Sequence, residues 1–146
     1  MSTPVLQIAG LRVEFPGLLR TVKAVRGINL TVTGGTVMGL VGESGSGKSM
    51  TAMAALGLIP KPGVVHGSVK VDGFEVVGRR DAELAPLRGG EAAMIFQNPM
   101  KALNPFFTVG EQMTDAIRCH LPFDKKAAIK AAIAALESVH LPDPTF

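Results

Sequence analysis

Gly42-Glu43-Ser44-Gly45-Ser46-Gly47-Lys48-Ser49 is the stretch on which the reading of this fold turns. Its spacing, G-x-x-x-x-G-K-[ST], is that of a short loop curled round a phosphate. Glycines are needed there because the backbone N–H groups must point inward, and a Cβ would crowd both the curl and the ligand. Lys48 supplies a point charge for the terminal phosphates, and the Ser49 hydroxyl stands where it can ligate Mg²⁺. The flanks agree with this reading. Thr36 to Val41 is a short apolar run of the kind that forms a buried parallel strand, and Lys48 to Leu58, rich in Ala, Met and Leu, reads as a helix stopped by Pro60 and Pro62. The start of that helix adds its own partial positive charge. A nucleotide phosphate is therefore expected in the cradle from Gly42 through Glu43, Ser44, Gly45, Ser46, Gly47, Lys48 and Ser49 to Met50.

Upstream, Val5 to Phe15 and Val22 to Val32 are β-type runs separated by Pro16-Gly17, and they look like antiparallel partners. Downstream, Gly67 to Val71 alternates like a half-buried strand, and Asp72-Gly73 supplies a hairpin turn into Phe74 to Val77. Asp81 to Leu87 reads as a short helix. Ala92 to Phe96 is a second short apolar strand, which delivers Gln97 and Asn98 into a loop containing Pro99 and Pro105. Thr108 to Leu121 and Asp124 to His140 are helical in pattern. In the latter, Ile129, Ile133, Leu136 and Val139 fall on one face.

Composition narrows the classes. The chain has 146 residues with 47% hydrophobic and 18% charged, enough for one ordinary domain with a core. A formal charge of +3 and an aromatic content of 5%, without Trp or Tyr, leave little to hold or stack on bases, so nucleic acid is not an expected partner. Cys119 is the single cysteine, which excludes a disulfide framework. The first ten residues lack the pattern of a signal peptide, and nowhere do about 18 uncharged apolar residues run together, so a soluble or peripheral protein is expected.

The order of features resembles the ATP-binding subunits of ABC transporters: an antiparallel β segment before the cradle, a glutamine closing a later strand, then helices. Met94 to Pro105, "MIFQNPMKALNP", resembles the Q-loop segment of the subfamily that energises import of dipeptides, oligopeptides or nickel. Leu40 to Ser49, "LVGESGSGKS", and Leu141 to Pro144, "LPDP", are similar to the same subfamily. The resemblance implies an α/β P-loop NTPase fold: an incomplete RecA-like core with an antiparallel β subdomain over residues 1–106, and the start of a helical subdomain over residues 107–146. It implies ATP and Mg²⁺ as cofactors. It assigns Gln97 to the loop that touches Mg²⁺ or the attacking water and relays contact to membrane subunits, a role suited to an amide that accepts and donates without changing charge. Phe15 takes the place of the ring, usually tyrosine, that stacks on adenine; a phenyl face still offers a flat apolar surface.

In this family hydrolysis needs further parts: an apolar strand ending in Asp-Glu, an L-S-G-G-Q signature, an aspartate-bearing loop and a switch histidine. None of the aspartates at 72, 81, 115, 124 and 143 ends an apolar strand ahead of a glutamate. Leu87-Arg88-Gly89-Gly90-Glu91 superficially matches the signature, but it precedes Gln97 and carries Arg in place of the serine. His66 and His120 fall at turn-like positions without a paired carboxylate, His140 ends a helix instead of following an apolar strand, and none is read as a catalytic base. The chain alone is thus expected to bind ATP and to be inactive in hydrolysis. A parallel sheet without its later strands would expose edges and apolar faces, so aggregation or dependence on a partner is also expected.

By resemblance, the partners are transmembrane permease subunits, a second ATPase subunit and, indirectly, a solute-binding protein, at the cytoplasmic face of the membrane. Two other readings remain open: a non-catalytic nucleotide-binding or docking module, and a P-loop phosphotransferase whose lid arginines would come from Arg79, Arg80 and Arg88.

Overall fold

The computed structural model describes residues 3–141, with Met100 and Lys101 described by backbone alone. Most of Leu141–Pro144, including Asp143, lies outside the described residues. Contacts divide the chain into two units, Met1–Met94 and Ile95–Phe146.

The first unit is built on strands β1 (Pro4–Phe15), β2 (Val22–Thr33), β3 (Val64–Val71) and β4 (Phe74–Glu75), with helices α1 (Lys48–Ala55) and α2 (Asp81–Leu84). The sheet order is β2-β1-β3-β4, and every pairing is antiparallel. The expected pairing of the first two strands is therefore present, with Val13 opposite Val25 and Phe15 opposite Val22. Asp72-Gly73 makes the hairpin between β3 and β4; Asp72 takes a left-handed φ of 46° and Gly73 one of 81°.

A break in the alternation of β1 sets the core. A strict period of two from Ile8 would bring Gly10 and Arg12 inward. Instead the register shifts against both neighbouring strands between Ile8 and Arg12, and Ile8, Leu11 and Val13 all face the core. Gly10 makes the bulge at φ 57°, and its N–H donates to Asn29 Oδ1 at 2.8 Å. Gly67 on β3 opposes it, where a Cβ would come within 2.5 Å of the Gly10 carbonyl oxygen. Leu11, Val13 and Val69 are fully buried, and each contributes about 1.5–3 kcal/mol of burial. Val25, Ala54, Leu56, Val71, Val76, Leu84 and Leu87 complete the cluster, so α1 and the α2 segment are packed on the sheet.

Two expected strands are not formed. Residues 36–41 and 92–96 carry no ladder; the latter has one isolated parallel bridge, Arg88 to Ala92. Val37 and Val41 are almost wholly exposed, at 101% and 94%. The physical reason is that a strand is completed by backbone partners along its edges. Both runs have the composition of parallel strands, and no described segment supplies parallel neighbours for them.

The second unit contains a 3-10 turn at Pro99–Ala102 and helices α3 (Val109–His120) and α4 (Lys125–Ser138). Thr108 caps α3: its Oγ1 accepts from Glu111 N at 3.2 Å, and Glu111 Oε2 accepts from Thr108 N at 2.8 Å. Asp124 caps α4 by accepting from Ala127 N at 2.7 Å. The two helices pack with Gly110 and Thr114 of α3 and Ala128 and Ala132 of α4 buried. The anticipated stripe lies beside this line: Ile129, Ile133 and Leu136 are half-buried and Val139 is exposed. Small side chains occupy the buried line because they let two backbones approach.

Candidate functional site: a phosphate loop at the start of α1

The loop leaves β structure behind at Thr33 and closes directly onto α1. Gly45 and Gly47 both take left-handed φ values, 80° and 92°, which L side chains rarely adopt. At Gly45 the space where a Cβ would sit is open, so the requirement is purely conformational. At Gly47 it is also steric, because a Cβ would lie 2.5 Å from the Ala24 carbonyl oxygen and 3.3 Å from Val25 Cγ2. The absence of that side chain lets the loop lie against β2. Thr51 then fixes the turn behind it: its N–H and its Oγ1 both donate to Gly47 O, at 2.9 and 3.0 Å.

Lys48 folds back across the loop. Its Nζ donates to Gly42 O and Glu43 O, each at 2.7 Å, and to Ser46 Oγ at 3.3 Å. Ser46 N donates to Glu43 O at 3.2 Å, which closes the turn. The ammonium is thereby held at the mouth of a curl whose next residues begin a helix, and the first N–H groups of that helix have no intrahelical partner. Ser49, the second residue of α1, is exposed. Its hydroxyl is a hard oxygen donor of the kind Mg²⁺ takes alongside phosphate oxygens and water. The arrangement suits a polyphosphate: left-handed glycines, a fixed cation and a helix start converge on one place.

A cavity of about 380 Å³ lies between the loop and β2. Lys23 and Arg26 of β2 share its lining with Lys48, and no acidic side chain lines it. Such a surface favours an anion. These β2 residues were not legible as site residues, since Lys23 and Arg26 carry no motif of their own. The one signal that bore on them was Gly47, because a glycine at that place asks what approaches it.

Phe15, at the end of β1, is half-buried and packs against the core cluster. Its ring edge lies beside Gly63, where a Cβ would meet it at 2.7 Å, and it is not part of the cavity lining. Met50 is half-buried against the same cluster. Gln97 belongs to the second unit, where it is exposed at a bend just ahead of the Pro99–Ala102 turn. The loop that follows it is fixed by Gln112, whose Oε1 accepts from Asn104 N at 2.9 Å and whose Nε2 donates to Asn104 O and Phe107 O at 3.0 Å.

The three arginines considered for a lid are engaged elsewhere. Arg79 and Arg80 pair with Glu83 at 3.3 and 3.0 Å, and Arg79 also lies over the Phe74 ring. Arg88 reaches the carbonyl end of α1, the end opposite the loop. His66 lies within β3 opposite Arg12, and His120, His140 and Cys119 are exposed. Among the described residues no group of three His, Cys, Asp or Glu side chains could hold a metal ion, and no helix is long and apolar enough to cross a membrane.

A profile of the family described as ABC transporter matches residues 25–146. The probable D,D-dipeptide transport ATP-binding protein DdpD of Escherichia coli is 43% identical, over 98% of this chain and 44% of its own length. The oligopeptide transport ATP-binding protein OppD of Haemophilus influenzae is 40% identical, over 96% of this chain and 43% of its own. The dipeptide transport ATP-binding protein DppD of Bacillus subtilis is 39% identical, over 96% and 42%. The chain thus spans less than half the length of these curated relatives. Among solved structures, the ATP-binding cassette MJ0796, in a dimeric post-hydrolysis state bound to ADP and Pi, shares the fold at a TM-score of 0.82 and 21% identity, over 94% of this chain and 58% of its own. With the glycine-rich loop, Lys48 and α1 in the arrangement of a P-loop NTPase and the family profile spanning most of its residues, the chain belongs to the ABC transporter family.

Proposed function

We propose that the chain binds Mg-ATP through Gly42–Met50 as part of a subunit that energises peptide import across a membrane. The observation that carries this reading is the Lys48 ammonium held by the Gly42 and Glu43 carbonyls at the start of α1. The relatives' names, which speak of dipeptide and oligopeptide transport, support the substrate class. The loop amides and the α1 N-terminus would seat the β-phosphate, Lys48 would neutralise the terminal phosphates, and Ser49 would hold Mg²⁺. Phe15 would offer its ring to adenine. Since its ring packs with the core and lies outside the cavity lining, that role needs the ring edge to be shared between core and base.

Titration calorimetry tests the reading. ATP binds the native chain and fails to bind Lys48→Ala; unchanged affinity refutes the assignment. Phe15→Leu separates base from phosphate: it weakens ATP while leaving inorganic triphosphate unaffected, if the ring meets adenine.

In the whole protein, nucleotide would close two such subunits on one another and turn a pair of permease subunits at the cytoplasmic face, with a solute-binding protein delivering the peptide. None of the aspartates of this chain ends an apolar strand ahead of a glutamate that could activate water. Phosphate release from Mg-ATP therefore stays at the level of buffer, and turnover by this chain alone would contradict that.

A further inference from the structure

One side chain, that of Arg88, meets the carbonyls just past the far end of the phosphate helix. α1 has eight residues, with Lys48 and Ser49 at its start and Leu56 and Gly57 closing it. Two turns are too few for helix hydrogen bonding to sustain itself, and the last carbonyls of such a helix are orphans unless something meets them. Leu58 N turns back to Met53 O at 2.8 Å and Gly57 N to Ala54 O at 3.1 Å. The Leu56 and Gly57 carbonyls are left for Arg88. Its Nε donates to Leu56 O at 2.8 Å and its Nη2 to Gly57 O at 2.9 Å.

The guanidinium is itself held. Asp81 Oδ1 accepts from Nη1 at 3.1 Å, and the Arg88 backbone N–H donates to Leu84 O at 3.1 Å. Gly57, at φ 62°, makes the room: a Cβ there would come within 2.5 Å of Leu84 Cδ1 and 3.3 Å of Arg88 Nη2. A planar fork with fixed donors suits two carbonyls that diverge past a helix end, and its charge opposes the negative end of the helix dipole. A helix this short, about 12 Å at 1.5 Å per residue, transmits displacement of one end to the other.

We propose that Arg88 is a positioning residue for the phosphate site: by clamping the carbonyl end of α1 to the α2 segment, it sets where Lys48 and Ser49 stand. The inference rests on the reading of that site as nucleotide-binding. The test is ATP titration on the full chain carrying Arg88→Gln, Arg88→Lys or Asp81→Asn, each at a temperature where circular dichroism shows it folded.

Arg88→Gln loses two charge-assisted contacts and weakens ATP about tenfold. Arg88→Lys keeps the charge without the fork and falls between Gln and the native residue. Asp81→Asn leaves the carbonyl contacts in place and gives the smallest loss, which serves if Arg88→Gln does not fold. A lower melting temperature with unchanged ATP affinity in all three overturns the proposal. Amide shifts in the nucleotide-free protein give an independent reading. Movement at Lys48, Ser49 and Met50 in Arg88→Gln supports the proposal, and movement confined to residues 55–58 overturns it. Should the native chain bind no ATP, the nucleotide reading fails, while these shifts still decide whether Arg88 governs the start of α1.

Discussion

Pro4–Phe15 and residues 36–41 are both rich in Val, Leu and Ile or Met, and they meet opposite fates. The first is a central strand with neighbours on both edges, and Leu11 and Val13 are wholly withdrawn from water. The second carries Val37 and Val41 in the open and forms no ladder. Side-chain composition is close enough that it cannot be the cause. The difference teaches that β structure is a property of a set of segments, since the backbone groups of one strand are satisfied only by another.

The sharpest way to break this comparison is to truncate one residue in each stretch. Leu11→Ala costs about 3 kcal/mol, through lost burial and the cavity it leaves. Val37→Ala stays within about 0.5 kcal/mol. Urea unfolding measures both, and equal shifts in the midpoint would abolish the distinction.

Gly47→Ala probes the place where the exposed stretch leads into ordered structure. A Cβ against the Ala24 carbonyl oxygen, at a left-handed φ, destabilises by more than about 1 kcal/mol and lifts the loop from β2. ATP affinity falls with it. A variant that keeps native affinity and midpoint would show that the loop does not need β2.

The helical unit sharpens the comparison from a different side, because its signals are local. Thr108→Ala removes one half of the capping box of α3 and costs about 1 kcal/mol, read as earlier loss of helix signal on heating.

The smallest effect is one of pH. Burial pushes the Glu75 carboxyl up, but hydrogen bonds from Ser68 Oγ, Val69 N and Val77 N, with the charge of Lys70, outweigh it and hold the group below its ordinary value. A lowered folded value means that this contribution is complete above the ordinary carboxylate value and fades as pH falls through the folded one. Native protein therefore loses more stability on acidification than Glu75→Gln does, measured as the melting midpoint against pH. Parallel curves would remove Glu75 from the account of the β3–β4 hairpin.

The sequence by itself determined whatever depends on near neighbours in the chain. The glycine spacing and lysine of the phosphate loop, the turn at Asp72-Gly73 and the two helices from Thr108 and Asp124 were all legible, because each is set by φ preferences or by patterns across a few residues. The antiparallel pairing of β1 with β2 was legible from two runs and the break between them.

Only the tertiary structure decided the rest. Nothing in the spacing of Ile8, Leu11 and Val13 named the bulge at Gly10 that brings all three to one face; that required Asn29 and Gly67 to arrive from strands distant in sequence. The composition of residues 36–41 promised a strand that no described segment pairs with. Arg88, one of a loose group of arginines in the sequence, found its place at the Leu56 and Gly57 carbonyls because α1 and the α2 segment pack on the same sheet. Local preferences are written residue by residue, whereas a backbone edge, a packed face and the end of a helix acquire their partners only once the chain has folded back on itself.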